Sequence, residues 1–219
     1  MLEDRLPGAP SGGAQRIKVG VMPLFSTWIY ICEDGPRELN QGLVRLAHRL
    51  MQDYHNATQR TNHGGWHYAF DLFELKEPVV EEFRIQMEQH IQAFLNHFRP
   101  EGRKKKDNFR LRGWINVNRA ADFNVLHSHP GSFLSAVYYV KVPRGIKGGE
   151  TFFRDPRGPA VAMYETPGIE LPWVDSGLGI PFTPHTGRLI LFPAWLEHHV
   201  ARFEGSGERI SIAFNASNP

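Results

Sequence analysis

The chain has 219 residues, 41% of them hydrophobic, and its 25 Lys and Arg against 23 Asp and Glu leave a formal net charge of +2. That length predicts one domain with a substantial core, and so small a charge makes no electrostatic case for a nucleic-acid partner. Cys32 is the only cysteine, which excludes an intrachain disulfide and thiolate-rich zinc chemistry and points to a reducing, cytoplasmic compartment.

Met1 to Gln15 carries charges with no apolar stretch behind them, so it reads as a mobile arm, drawn to residue 16, and not as a secretory signal. Residues 17–219 are expected to form a single domain. Val19 to Ile31 is apolar and broken by Pro23, the pattern of a short strand and a turn. Leu39, Leu43, Leu46, Ala47, Leu50 and Tyr54 recur at helical spacing. Thr61 to Gly65 reads as a loop and Trp66 to Leu75 as a strand or extended segment. Pro78 opens a second helix, whose apolar stripe runs Val80, Phe83, Met87, Ile91, Phe94, Leu95 and Phe98 before Pro100 stops it. Helical support therefore spans about 36–100.

From Phe109 the pattern changes to short strands punctuated by Gly and Pro, over about 109–217. Candidates are Phe109–Asn118, Phe133–Val142, Glu150–Arg154, Arg188–Phe192, His198–Phe203 and Arg209–Asn215. Helices followed by many strands predict an α+β, mainly β, fold in which helices buttress one face of a sandwich or barrel. No apolar run is long enough to span a membrane.

The chemistry concentrates in His127-Ser128-His129, His198-His199-Val200 and Arg209-Ile210-Ser211. On an extended strand, side chains at i and i+2 share a face, so His127 and His129 can present two imidazoles to one point. A third from His198 would complete a metal face with open positions. His199, adjacent to His198, would point the other way. Arg209 could clamp a carboxylate with its planar fork. Alternation puts Arg209, Ser211, Ala213 and Asn215 on one face of the last strand, a polar face suited to a cavity. Ser135, Val137 and Tyr139 share a face of an earlier strand, which makes Tyr139 the candidate to approach Arg209.

These residues carry a resemblance. The run from His127 to Val140, the Gly148-Gly149-Glu150-Thr151-Phe152 turn, Phe192-Pro193, His198-His199-Val200 and Arg209-Ile210-Ser211 resemble the signature of the 2-oxoglutarate–Fe(II) oxygenases. The likeness is closest to the small bacterial group related to prolyl hydroxylases. It covers about residues 110–217, with a weaker likeness at Pro23-Leu24-Phe25-Ser26-Thr27. It implies a double-stranded β-helix, or jelly roll, and a 2-oxoglutarate-dependent iron dioxygenase. Its metal ligands would be His127, His129 and His198, with Arg209, Ser211 and Tyr139 holding the cosubstrate. The family motif is usually His-x-Asp or His-x-Glu. Here His129 stands at the acidic position, so a three-histidine site is implied. Asp122 and Asp155 are the nearest substitute acids in sequence, but neither stands two residues from His127.

Two other readings fit the residues. A cupin-like dioxygenase would use the three histidines without 2-oxoglutarate and leave Arg209 and Ser211 unexplained. A non-catalytic metal-binding module would keep the fold without turnover. The remaining histidines have simpler roles: His48, His55, His90 and His97 lie on or beside helices, His63 and His67 flank a glycine turn, and His185 precedes a strand. Arg103 to Lys106, with Arg110 and Arg112, reads as a solvated linker; its thin aromatic interleaving leaves nucleic acid a minor reading. Asn116 and Asn118 share a face with Trp114 and could meet a ligand. The substrate, a small molecule or a protein side chain, is not legible, and oligomeric state is open, a homodimer included.

Overall fold

Leu39, Leu43, Leu46, Ala47 and Leu50 fall on one face of helix α1 (Arg37–Asp53), and all are buried. Helix α2 (Pro78–His97) begins on Pro78, whose missing N–H costs nothing in a first turn, and buries Val80, Phe83, Met87, Ile91 and Phe94. Phe98, expected in that stripe, lies just past the helix end, half exposed, with its ring against Trp28 and Phe94. The structure, a computed structural model, describes residues 25–54, 61–158 and 179–219. The expected N-terminal arm, the part of the first strand before Phe25, and His55 lie outside the described residues.

Two antiparallel sheets stand beside the helices. The larger runs β1 (Tyr30–Cys32), β9 (Leu189–Pro193), β6 (Leu134–Lys141), β11 (Arg209–Ser217), β4 (Arg110–Asn118), β3 (Trp66–His67). The smaller runs β2 (Asn62–His63), β5 (Phe123–His127), β10 (His198–Val200), β7 (Thr151–Phe153), β8 (Ile180–Phe182). Period-2 alternation decides what each face of the larger sheet meets. Leu134, Ala136, Tyr138 and Val140 of β6, with Ile210, Ile212 and Phe214 of β11, join the helical residues in one core. The opposite face supplies Tyr139, Ile190 and Phe192, which pack with Phe153 of the smaller sheet. The layers are therefore helices, larger sheet, smaller sheet, the arrangement of a double-stranded β-helix with buttressing helices. No described helix is long and apolar enough to cross a membrane.

The sequence-based element list needs three corrections. The expected loop at Thr61–Gly65 contains the two-residue strand β2, which pairs with β5. The Trp66–Leu75 segment is extended only at Trp66–His67 and ends in a single 3-10 turn at Leu72–Glu74. Strand β5 reaches back to Phe123, beyond the extended His127–His129 stretch that the sequence predicts, and β8 is not among the expected elements; β8 is a three-residue edge that pairs with β7 alone.

Candidate metal and cosubstrate site

His127 is the last residue of β5, and His198 is the first of β10. The two are direct cross-strand partners, and their rings lie 4.3 Å apart centre to centre. His129 stands beyond the end of β5, so the single extended strand expected for both residues is a strand end followed by a turn. The His129 amide N–H donates to the Ala194 carbonyl (2.9 Å), which pins that turn to the segment leading into β10. The His129 ring is 5.0 Å from that of His127 and 5.2 Å from that of His198. One nitrogen of each imidazole lies within 4.8 Å of the others, a group able to hold a metal ion.

Backbone bonds fix the tautomers of two rings. The Nδ1 of His127 lies 2.7 Å from the Val125 carbonyl, and the Nδ1 of His198 lies 2.9 Å from the Leu196 carbonyl. A carbonyl only accepts, so each Nδ1 carries the hydrogen and each Nε2 keeps its lone pair. Burial lowers the pKa of all three rings. In His127 the Val125 bond offsets this in part. His129 falls to about 4 and His198 to about 3, each pushed further by the neighbouring His127. The rings are thus neutral near pH 7, the form in which imidazole binds a metal. His199 points to the opposite face and stacks on Phe152 at 5.0 Å. Neither proposed substitute acid reaches the cluster: Asp122 accepts from the Arg119 amide, Asp155 pairs with Arg157, and the group contains no carboxylate among the described residues.

The histidines open into a cavity of about 230 Å³ between the two sheets. Arg209, Ser211, Ala213 and Asn215 all line it, as the alternation predicts. Arg209 is only 2% exposed and has no ion-pair partner among the described residues. Its Nη1 donates to the Gly149 carbonyl (3.1 Å), and its Nε has no partner among the described residues. Burial pulls its pKa down, opposed in part by Tyr139 and Glu150. Gly149 has φ +75°, and a Cβ there would lie 3.5 Å from the Arg209 Nη1; the glycine turn lets the chain fold closely around the guanidinium. Tyr139 sits across from Ser211 with its ring centre 5.7 Å from the Arg209 guanidinium carbon. Its hydroxyl is engaged by Thr151 (2.8 Å), and Thr151, not Tyr139, contributes to the cavity wall.

Thr61, Asn62, His67, Asn124 and Thr151 line the cavity without having stood out in the sequence. His67, expected in a loop role, is buried on β3, with Nδ1 2.8 Å from the Asn116 Oδ1. A two-residue strand has no periodicity to read, so nothing local pointed to it. Thr151 belongs to the Gly148–Phe152 turn and could have been found as the first strand residue after the glycines.

The comparisons bear on this geometry directly. Residues 112–215 match the family model described as "Putative 2OG-Fe(II) oxygenase". That segment contains all three histidines and Arg209. This segment is similar to the 2-oxoglutarate–Fe(II) oxygenases. Iron and 2-oxoglutarate are the cofactors of the oxygenase family. No curated protein sequence matches the chain. Among solved structures, a Pseudomonas putida prolyl-4-hydroxylase aligns over 87% of this chain and 92% of its own, with TM-score 0.62 and 15% identity. HygX from Streptomyces hygroscopicus, solved with nickel, 2-oxoglutarate and hygromycin B, aligns over 88% and 83%, with TM-score 0.58 and 13% identity. The viral collagen prolyl hydroxylase of Paramecium Bursaria Chlorella virus-1, solved as a 2-oxoglutarate complex, aligns over 87% and 96%, with TM-score 0.56 and 15% identity. At these identities the likeness is one of fold, and it places the oxygenase double-stranded β-helix across the described chain.

The residues fit the oxygenase cofactors. Three neutral nitrogens suit a borderline divalent metal such as iron. A buried guanidinium with an unpartnered N–H suits the carboxylate of a cosubstrate.

Proposed function

We propose that the protein is an Fe(II)- and 2-oxoglutarate-dependent dioxygenase in which His127, His129 and His198 hold the iron and Arg209 receives the far carboxylate of 2-oxoglutarate. The observation that carries this reading is the shared cavity: three converging imidazoles and a buried arginine that forms no ion pair among the described residues. Iron with 2-oxoglutarate supplies oxidative decarboxylation of the cosubstrate coupled to hydroxylation of a second molecule.

The chain's own residues bind, orient and exclude water. Val125 and Leu196 hold the His127 and His198 rings so that Nε2 faces the metal position. Gly149 anchors one arm of the Arg209 fork, and Tyr139 lies against it, its hydroxyl fixed by Thr151. Ser211 stands two residues along the same face as a second donor to the carboxylate. Val137, Phe192 and Val200 supply an apolar wall that limits water. The lone cysteine suits a cytoplasmic setting, and the substrate is a small molecule or a protein side chain and not a nucleic acid.

The test is succinate formation from 2-oxoglutarate by the purified protein with Fe(II), in air and under nitrogen. Oxygen-dependent succinate that disappears in His127→Ala is the expected result. Iron binding with no consumption of 2-oxoglutarate would favour the cupin-like reading, and absence of both would favour a non-catalytic module.

A further inference from the structure

We propose that the substrate of this site carries an anionic group, a carboxylate or a phosphate, and that Arg112 receives it. The inference deepens the reading above and rests on its assignment of the Arg209 end to 2-oxoglutarate.

The register of β4 against β11 lays the cavity out as a strip. Asn118 faces Arg209, Asn116 faces Ser211, Trp114 faces Ala213, and Arg112 faces Asn215. From Arg209 to Asn215, at about 3.4 Å per residue, the strip is about 20 Å long. The histidines stand between its ends, because the Trp114 ring is 5.9 Å from that of His129. One arginine therefore marks each end. Arg209 is buried, and Arg112 is exposed while still lining the cavity. The Arg112 side chain has no ion pair or hydrogen bond among the described residues. The cosubstrate takes the buried end, so the end with the exposed arginine is left for the substrate.

Charge decides what that end prefers. Among the described residues, no Asp or Glu lines the cavity. The other polar groups near the mouth, Thr61, Asn62, Asn116 and Asn124, are uncharged. In the usual site of this family a carboxylate ligand offsets part of the metal's charge; three imidazoles offset none of it. The dianion of 2-oxoglutarate balances the divalent metal, and Arg209 and Arg112 then remain as two positive charges. A cationic substrate would enter a partly desolvated, uniformly positive space, which is unfavourable. An anionic one offsets that positive charge, and the guanidinium fork binds either a carboxylate or a phosphate through two parallel hydrogen bonds. The cavity of about 230 Å³ must also hold metal and cosubstrate, so a small anionic molecule is the fitting occupant.

The experiment uses the full chain loaded with Mn(II) and 2-oxoglutarate, which binds ligands without turnover. N-acetylated amino acids, the same compounds as carboxamides, and the matching amino-alcohol phosphates are titrated in, with calorimetry and melting temperature as readouts. Anionic members should bind and raise the melting temperature, carboxamides should not, and the stronger of the two anionic sets identifies the anion. Arg112→Ala should weaken the anionic ligands about tenfold or more, the value of one charge-assisted contact, with metal content and 2-oxoglutarate affinity unchanged. Arg112→Glu should abolish their binding. Silence from every anionic member, carboxamides that bind as tightly, or an Arg112→Ala protein that binds the anions normally would overturn the proposal. Failure of 2-oxoglutarate itself to bind the Mn(II) protein would instead overturn the cosubstrate reading on which it rests.

Discussion

Arg209 and Asn118 are cross-strand partners on β11 and β4, and each buries a polar atom with no partner among the described residues, the Nε of Arg209 and the Oδ1 of Asn118. Asn118 is 3% exposed, so water does not easily compensate. A donor and an acceptor left unmade side by side each cost about 1–3 kcal/mol, a cost that makes sense where a ligand completes the arrangement.

Asn118 is therefore expected to orient Arg209 for the carboxylate. Asn118→Ala should weaken 2-oxoglutarate about tenfold, one hydrogen bond to a charged group of about 1.5 kcal/mol, and leave Fe(II) content unchanged. Titration of 2-oxoglutarate into the anaerobic iron protein measures it. Unaltered affinity would mean that Asn118 only fills space.

Metal content after reconstitution separates the adjacent histidines. His127→Ala and His198→Ala should lose tight metal binding, because their Nε2 atoms face the shared point. His199→Ala should keep most of it, since that ring stacks on Phe152 on the other face. The reverse pattern would shift the strand parity by one residue.

His129→Asp would restore the acidic residue of the usual motif. A carboxylate adds the negative charge that three imidazoles lack, so Fe(II) should bind more tightly and 2-oxoglutarate turnover should be retained or raised. A variant that binds less iron would show that His129 is not a ligand.

Asp107 ties the end of α2 to the approach to β4. Hydrogen bonds from Arg99, then from Gln92, hold its pKa down at about 2. A carboxyl depressed in the folded state binds fewer protons there than in the unfolded chain, so its stabilising effect is present above the ordinary carboxylate pKa. It is lost as pH falls through roughly 4 towards 2. The melting-temperature gap between the wild type and Asp107→Asn should be largest near neutral pH and close on acidification. A gap independent of pH would contradict this.

Much of this was legible because it depends on periodicity. The α2 stripe from Val80 to Phe94 and the split of β11 into Arg209, Ser211, Ala213, Asn215 and Ile210, Ile212, Phe214 each follow from one repeat length. The site's outer wall was not legible. His67 and Asn62 come from two-residue strands whose place is set by pairing with β4 and β5, and long-range pairing leaves no local pattern. Parity and the family resemblance both put Tyr139 on the cavity face. Parity gives the face of a side chain but not its partner, and Thr151 takes that hydroxyl.

The most direct test of the account is anaerobic titration of 2-oxoglutarate into the Fe(II)-loaded protein, followed by its metal-to-ligand absorption band, in wild type, Arg209→Lys and Arg209→Ala. The band should saturate in wild type. Arg209→Lys should bind more weakly because an ammonium cannot reproduce the fork. Arg209→Ala should lose about 3–5 kcal/mol of binding, with iron fully retained. Undiminished 2-oxoglutarate affinity in iron-replete Arg209→Ala would contradict the cosubstrate site.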